Sequence, residues 1–120
     1  MKITDKRPRI FDMSFASVYP LYITKVERKG HTKQEVNQVI LWLTGYSETE
    51  LIKQIEDQVT FQSFFDQAPL LNPNVDKITG SICGYKVQEI KDPLMQKIRF
   101  MYKLLDEVAN NKSMDKILRK

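Results

Sequence analysis

The sequence predicts a mainly α fold: a compact bundle of five or six helices, with room for a small β element. Two back-to-back capped helical patterns fill Gly30 to Val59. A long apolar heptad runs from Leu94 to Val108 behind an Asp-Pro start. Alternating patterns, the mark of half-buried strands, are almost absent. The chain has 120 residues, 42% hydrophobic and 28% charged, the size and balance of one soluble globular domain. Residues 1–9 are polar and basic, with Pro8 among them, and read as a disordered tail. Residues 10–120 read as a single helical domain.

Between Ile10 and Phe15, the apolar Phe11, Met13 and Phe15 alternate with Asp12 and Ser14, a short strand-like pattern. A first helix is expected to start near Ser17. Pro20 would then fall in its first turn, where a missing N–H costs nothing. Val18, Leu21, Tyr22 and Val26 give it an apolar face, and Gly30 a left-handed stop. Thr32 and Glu35 form a capping box: the hydroxyl accepts from the Glu35 amide, and the carboxylate reaches back to the Thr32 amide. Val36, Val39, Ile40 and Leu43 make a core stripe, and Leu41 and Trp42 carry apolar surface round to other sides. Such a helix is usually sandwiched. Gly45 ends it.

Ser47 and Glu50 repeat the capping box before a third helix with Leu51, Ile52, Ile55 and Val59 as its stripe. Thr60 caps a short fourth helix facing inward through Phe61, Phe64, Phe65 and Ala68. The prolines and asparagines of 69–74 make a loop. Residues 78–90 fit two readings. Ile78, Ile82, Val87 and Ile90 fit a loose helix face, while β-favouring residues broken by Gly80 and Gly84 fit a strand or hairpin. Helix is the expectation, since only Ile10–Phe15 offers a strand partner. Asp92 as cap and Pro93 at the first helical position open the last long helix. Its core face is Leu94, Ile98, Met101, Leu105 and Val108, widened by Met95, Tyr102 and Ala109. Its wet face is Gln96, Arg99, Lys103 and Asp106. Asn110-Asn111 stops it, and Ser113 caps a final short helix with Met114, Ile117 and Leu118.

Several functional classes find no support. The longest apolar runs are far short of the roughly 18 residues a membrane helix needs. The basic N-terminus lacks the apolar segment of a secretory signal. A single cysteine, Cys83, fits a reducing cytoplasm and a small buried hydrophobe. With one histidine, His31, it leaves too few soft ligands for a zinc site. No metal or other cofactor is expected, and no catalytic residue is assigned. Carboxylate neighbours such as Glu56-Asp57 and Asp106-Glu107 point in different directions from a helix and make no acid/base pair. Gly80 to Gly84 lacks the ending of a phosphate loop.

Charge is segregated. Residues 1–33 hold eight Lys/Arg against three Asp/Glu, residues 34–82 two against seven, and residues 83–120 nine against five. Residues 17–58 superficially resemble a helix-turn-helix. The third helix, the natural groove reader, carries Glu48, Glu50, Glu56 and Asp57 against Lys53, which phosphates would repel. Lys25, Arg28 and Lys29 are the candidate phosphate contacts instead, so nucleic-acid binding is expected to be weak and non-specific. Tyr22, Trp42 and Tyr46, amphipathic aromatics near helix ends, are candidates for an interface or cleft. A homo-oligomer is one partner the apolar girth allows.

Ser14-Phe15-Ala16-Ser17-Val18-Tyr19-Pro20, Trp42-Leu43-Thr44-Gly45-Tyr46, Leu71-Asn72-Pro73-Asn74, Ile78-Thr79-Gly80 and Asp92-Pro93-Leu94-Met95 with Ile98-Arg99 together resemble a small bacterial family. It is the domain of unknown function numbered twenty-two hundred. The resemblance runs from Arg9 to the C-terminus. It implies a bacterial, cytoplasmic, single-domain protein and transfers no activity, cofactor or site residue. The expected function is a non-enzymatic binding or protein-interaction domain. The alternatives are phosphate or nucleic-acid binding through the basic ends, or an enzyme site assembled from Tyr, Asp and Lys side chains.

Overall fold

The computed structural model describes residues 8–82 and 84–119. Cys83 and most of the expected tail therefore lie outside the described residues. Six α-helices follow one another: α1 (Phe15–Glu27), α2 (Lys33–Thr44), α3 (Glu48–Glu56), α4 (Phe61–Asp66), α5 (Pro93–Ala109) and α6 (Met114–Ile117). Between α4 and α5 lie a 3-10 turn at Pro73–Lys77, a hairpin of β1 (Ser81–Ile82) and β2 (Tyr85–Lys86), and a 3-10 turn at Val87–Glu89.

Local chemistry sets most boundaries. Both capping boxes form, with Glu35 N–H donating to Thr32 Oγ1 at 3.2 Å and Glu50 N–H to Ser47 Oγ at 3.1 Å. Asp92 caps α5 through the Met95 amide. His31 N–H reaches back across Gly30 to the Val26 carbonyl, closing the end of α1. Gly45, at φ 79°, ends α2 where a Cβ would meet the Leu70 backbone at 2.8 Å. Only glycine allows both that conformation and that approach.

α5 is the axis. α1 and α2 pack on it side by side, α3 lies across α1 and α2, and α4 sits between the N-terminal turn and α5. The α5 residues Ile98, Met101, Leu104, Leu105 and Val108 join Val26, Val36, Val39, Ile40 and Leu43 in one core. At its far end the core is aromatic. Phe15 stacks on Phe64 at 4.0 Å and meets Phe61 edge-on at 5.5 Å. Tyr46 covers Phe64 and donates to its carbonyl at 2.6 Å.

Several expectations are corrected. Arg9 to Asp12 is a 3-10 turn rather than tail and strand, so the structured chain begins before residue 10. The β character there shrinks to one bridge, Ser14 to Thr60. Ser14, not a residue near Ser17, caps α1, which leaves Pro20 inside the helix. Residues 78–90 form a hairpin instead of a helix. Ser81 pairs Lys86 and Ile82 pairs Tyr85. Gly84 has φ 83°, a turn conformation that would break a helix. The missing strand partner lies within the segment itself. Val59 falls outside α3, and Ile52, expected in its core stripe, is 49% exposed. Ser113 precedes α6 without a side-chain cap bond. α5 also buries Phe100, Leu104 and Glu107, and its expected wet face is half-covered, because neighbours surround it on several sides. Leu41 and Trp42 are half-buried at the edge of the core.

Candidate functional site

α1 and α5 run in the same direction. Lys25 pairs with Asp106 and His31 meets Asn111, so their later turns lie side by side. Along the shared seam each helix presents residues at i, i+3, i+4 and i+7. These are Val18, Leu21, Tyr22 and Lys25 on α1, and Met95, Ile98, Arg99 and Tyr102 on α5. This spacing normally zips two helices together. Here the seam stays open as a cleft of about 430 Å³, with Ile10 at one side. Met95 and Arg99 also line a second trough, of about 610 Å³, against the hairpin residues Tyr85 and Lys86, Glu89 and Ile90. The two hollows meet at Met95 and Arg99.

The cleft walls are mostly apolar, and its polar groups are cations and phenols. Lys25 Nζ lies 3.2 Å from Asp106 Oδ1 and 4.4 Å from the Tyr102 ring centroid. Its charge is thus partly compensated. The Arg99 guanidinium lies 5.9 Å from the Tyr85 ring and has no carboxylate within ion-pair distance among the described residues. Burial pushes the Tyr22 phenol well above its usual range, and neighbouring Tyr102 adds to the effect against the pull of Arg99. Tyr22 is therefore a neutral donor at any ordinary pH. Leu21 and Tyr85, 63% and 61% exposed, stand at the margins as large apolar side chains without cover.

The structure separates the residues that the sequence grouped as candidates. Tyr22 and Lys25 both line the cleft. Arg28 and Lys29 are exposed beyond it, past the end of α1. Tyr46 is buried in the aromatic core, and its phenol, raised to about 12 by burial and then by Glu50, serves the Phe64 carbonyl. Trp42 is half-buried on α2, its carbonyl held by Asn72 Nδ2. Leu21, Met95, Arg99, Tyr102 and Tyr85 were not singled out as a site. The signal was the identical spacing of 18, 21, 22, 25 and 95, 98, 99, 102, which becomes informative only once the two helices are known to be neighbours.

A separate hollow lies between α2 and α3. Tyr19 and Asn37 form its floor, joined by a hydrogen bond from the phenol to Asn37 Oδ1. Glu48, Ile52 and Glu56 form its outer wall. Among the described residues no three His, Cys, Asp or Glu side chains gather as a metal site, and no helix is long and apolar enough to cross a membrane.

A model of the family described as "Uncharacterized protein conserved in bacteria (DUF2200)" matches residues 9–119. No curated protein matches the chain. Among solved structures, the crystal structure of uncharacterized protein SP1917 is similar to it, with a TM-score of 0.88 and 43% sequence identity. The match covers 95% of this chain and 93% of that one.

Proposed function

The chain belongs to the DUF2200 family of bacterial proteins, and we propose that it is a non-enzymatic binding domain whose recognition surface is the α1–α5 cleft. One observation carries the reading: two matched helical seams left open around a half-buried guanidinium with no carboxylate partner among the described residues. An apolar trough with few convergent polar groups is the usual form of a binding site. Apolar walls favour a hydrophobic group, and Arg99 favours a negative charge beside it. Tyr and Arg are also the residue types that anchor interfaces. Binding fits the polar groups better than catalysis does. Burial keeps the Tyr22 phenol protonated, and Lys25 and Asp106 are engaged with each other in an ion pair.

Anilinonaphthalene sulfonate, an apolar anion, tests the reading by fluorescence titration of the folded protein. It should bind saturably. Arg99→Ala should weaken it about tenfold, the size of one charge-assisted contact. Leu21→Ser should weaken both this probe and the uncharged Nile red, while Arg99→Ala leaves Nile red unchanged. Binding indifferent to both substitutions would place the probe elsewhere and remove the cleft as the recognition surface.

A further inference from the structure

The exposed face of α3 is the chemical complement of this cleft. Glu48, Ile52 and Glu56 follow one another at i, i+4 and i+8, and all three are exposed. They form one ridge: a large apolar side chain flanked by two carboxylates. At 1.5 Å per residue the ridge is about 12 Å long, and the α1 seam from Val18 to Lys25 about 10 Å. Lys53 and Asp57 neutralise each other beside the ridge. The net charge of the ridge therefore comes from Glu48 and Glu56. The cleft offers apolar walls and Arg99, which has no carboxylate within ion-pair distance among the described residues, and the adjoining trough carries Lys86 together with Glu89. The acidic middle of the sequence thus supplies the carboxylates of the ridge, and its basic ends supply the cations at the cleft.

We infer that the cleft receives the α3 ridge of a second copy of this chain. Ile52 enters between Leu21 and Tyr85, and a flanking glutamate meets Arg99. The inference rests on the cleft being a recognition surface. It follows the helix-in-groove mode, in which an amphipathic helix lays spaced anchors into an apolar trough. α3 packs on α1 and α2, whereas the cleft opens between α1 and α5. Ridge and cleft are therefore different patches, so each contact joins the ridge of one copy to the cleft of another. Each copy has one ridge and one cleft to offer, so a reciprocal pair, a closed ring or an open chain would each satisfy both.

Complementation tests this without relying on a single variant. One protein carries Ile52→Lys with Glu56→Lys, which spoils the ridge and leaves the cleft. The other carries Arg99→Glu, or Leu21→Glu at an exposed position, which spoils the cleft and leaves the ridge. Thermal melts by circular dichroism establish that each is folded. In sedimentation velocity at low salt the wild type should associate as concentration rises, about tenfold more weakly at physiological salt because the contact includes exposed charges. Each variant alone should stay monomeric, and an equimolar mixture should give a heterodimer and nothing larger. A wild type that remains monomeric at high concentration and low salt overturns the inference, as does a mixture that stays monomeric. Saturable, Arg99-dependent binding of the sulfonate probe by a strictly monomeric wild type would overturn self-docking alone and leave the cleft reading standing.

Discussion

His31 has an acceptor on each ring nitrogen. Glu35 carboxylate oxygens lie 3.2 Å from Nδ1, and Asn111 Oδ1 lies 2.6 Å from Nε2. The protonated ring donates to both, tying the α1–α2 turn to the end of α5. The Asn111 contact is the largest influence and raises the His31 pKa; partial burial opposes it and Glu35 adds to it. Glu35 is held below its usual value, since the hydrogen bonds from Thr32 and His31 together outweigh its burial. A raised folded pKa means that protonation stabilises the fold. The His31 contribution is complete below its unfolded value of about 6.5 and is lost as pH rises through the higher folded value. The Glu35 contribution is lost only as pH falls through its lowered value. Urea midpoints for wild type and His31→Gln should therefore differ most near pH 5–6 and converge towards pH 8 or above. Parallel curves across that range would show that the clasp does not titrate. The Thr32–Glu35 half of this arrangement is legible in sequence, being local. The Asn111 half spans 80 residues and depends on how α1 and α5 meet.

Element boundaries follow from caps and glycines, but element faces depend on what lies outside them. The heptad of α5 names Leu94, Ile98, Met101, Leu105 and Val108 as core; the last four are buried, and Leu94, in the first turn, is partly buried against them. The stripe of α3 names Ile52 by the same rule, yet α3 lies on the outside of the bundle and its ridge stays in solvent. Leu105→Ala should cost about 2–5 kcal/mol, because it removes methylenes from a close-packed site and leaves a cavity. Ile52→Ala should cost under about 0.5 kcal/mol, as an exposed surface change. Denaturant melts of the two variants compare them directly, and equal losses would contradict this assignment of faces. The hairpin at 81–86 is the converse case. Its periodicity was too short to decide between helix and strand, and the close approach of Lys103 to Gly80 joins it to α5.

At the scale of the molecule, one ion-pair network fastens the end of the chain to the bundle. Glu107, buried on α5, receives Arg119 through both carboxylate oxygens at 2.7 and 2.9 Å, with Lys112 at 3.4 Å. Arg119 also donates to the Lys77 and Ile117 carbonyls, so a single side chain joins α5, α6 and the 73–77 turn. Removing one partner of a buried pair strands the other. Arg119→Ala should therefore destabilise by about 3–5 kcal/mol, while Lys112→Ala, at an exposed partner, should cost under about 1 kcal/mol. Equal and small losses in urea melts would mean that water replaces the guanidinium without penalty. The sequence by itself determined the helical class, both capping boxes, the Asp-Pro start of α5 and most of the apolar core, because caps and periodicity depend on residues three or four apart. Only the tertiary structure decided that 78–90 is a hairpin, that Tyr46 belongs to the core, and that Tyr22 and Lys25 share a cleft with Arg99. Each of these depends on which helices become neighbours, and neighbourhood is set by side-chain packing summed over the whole chain.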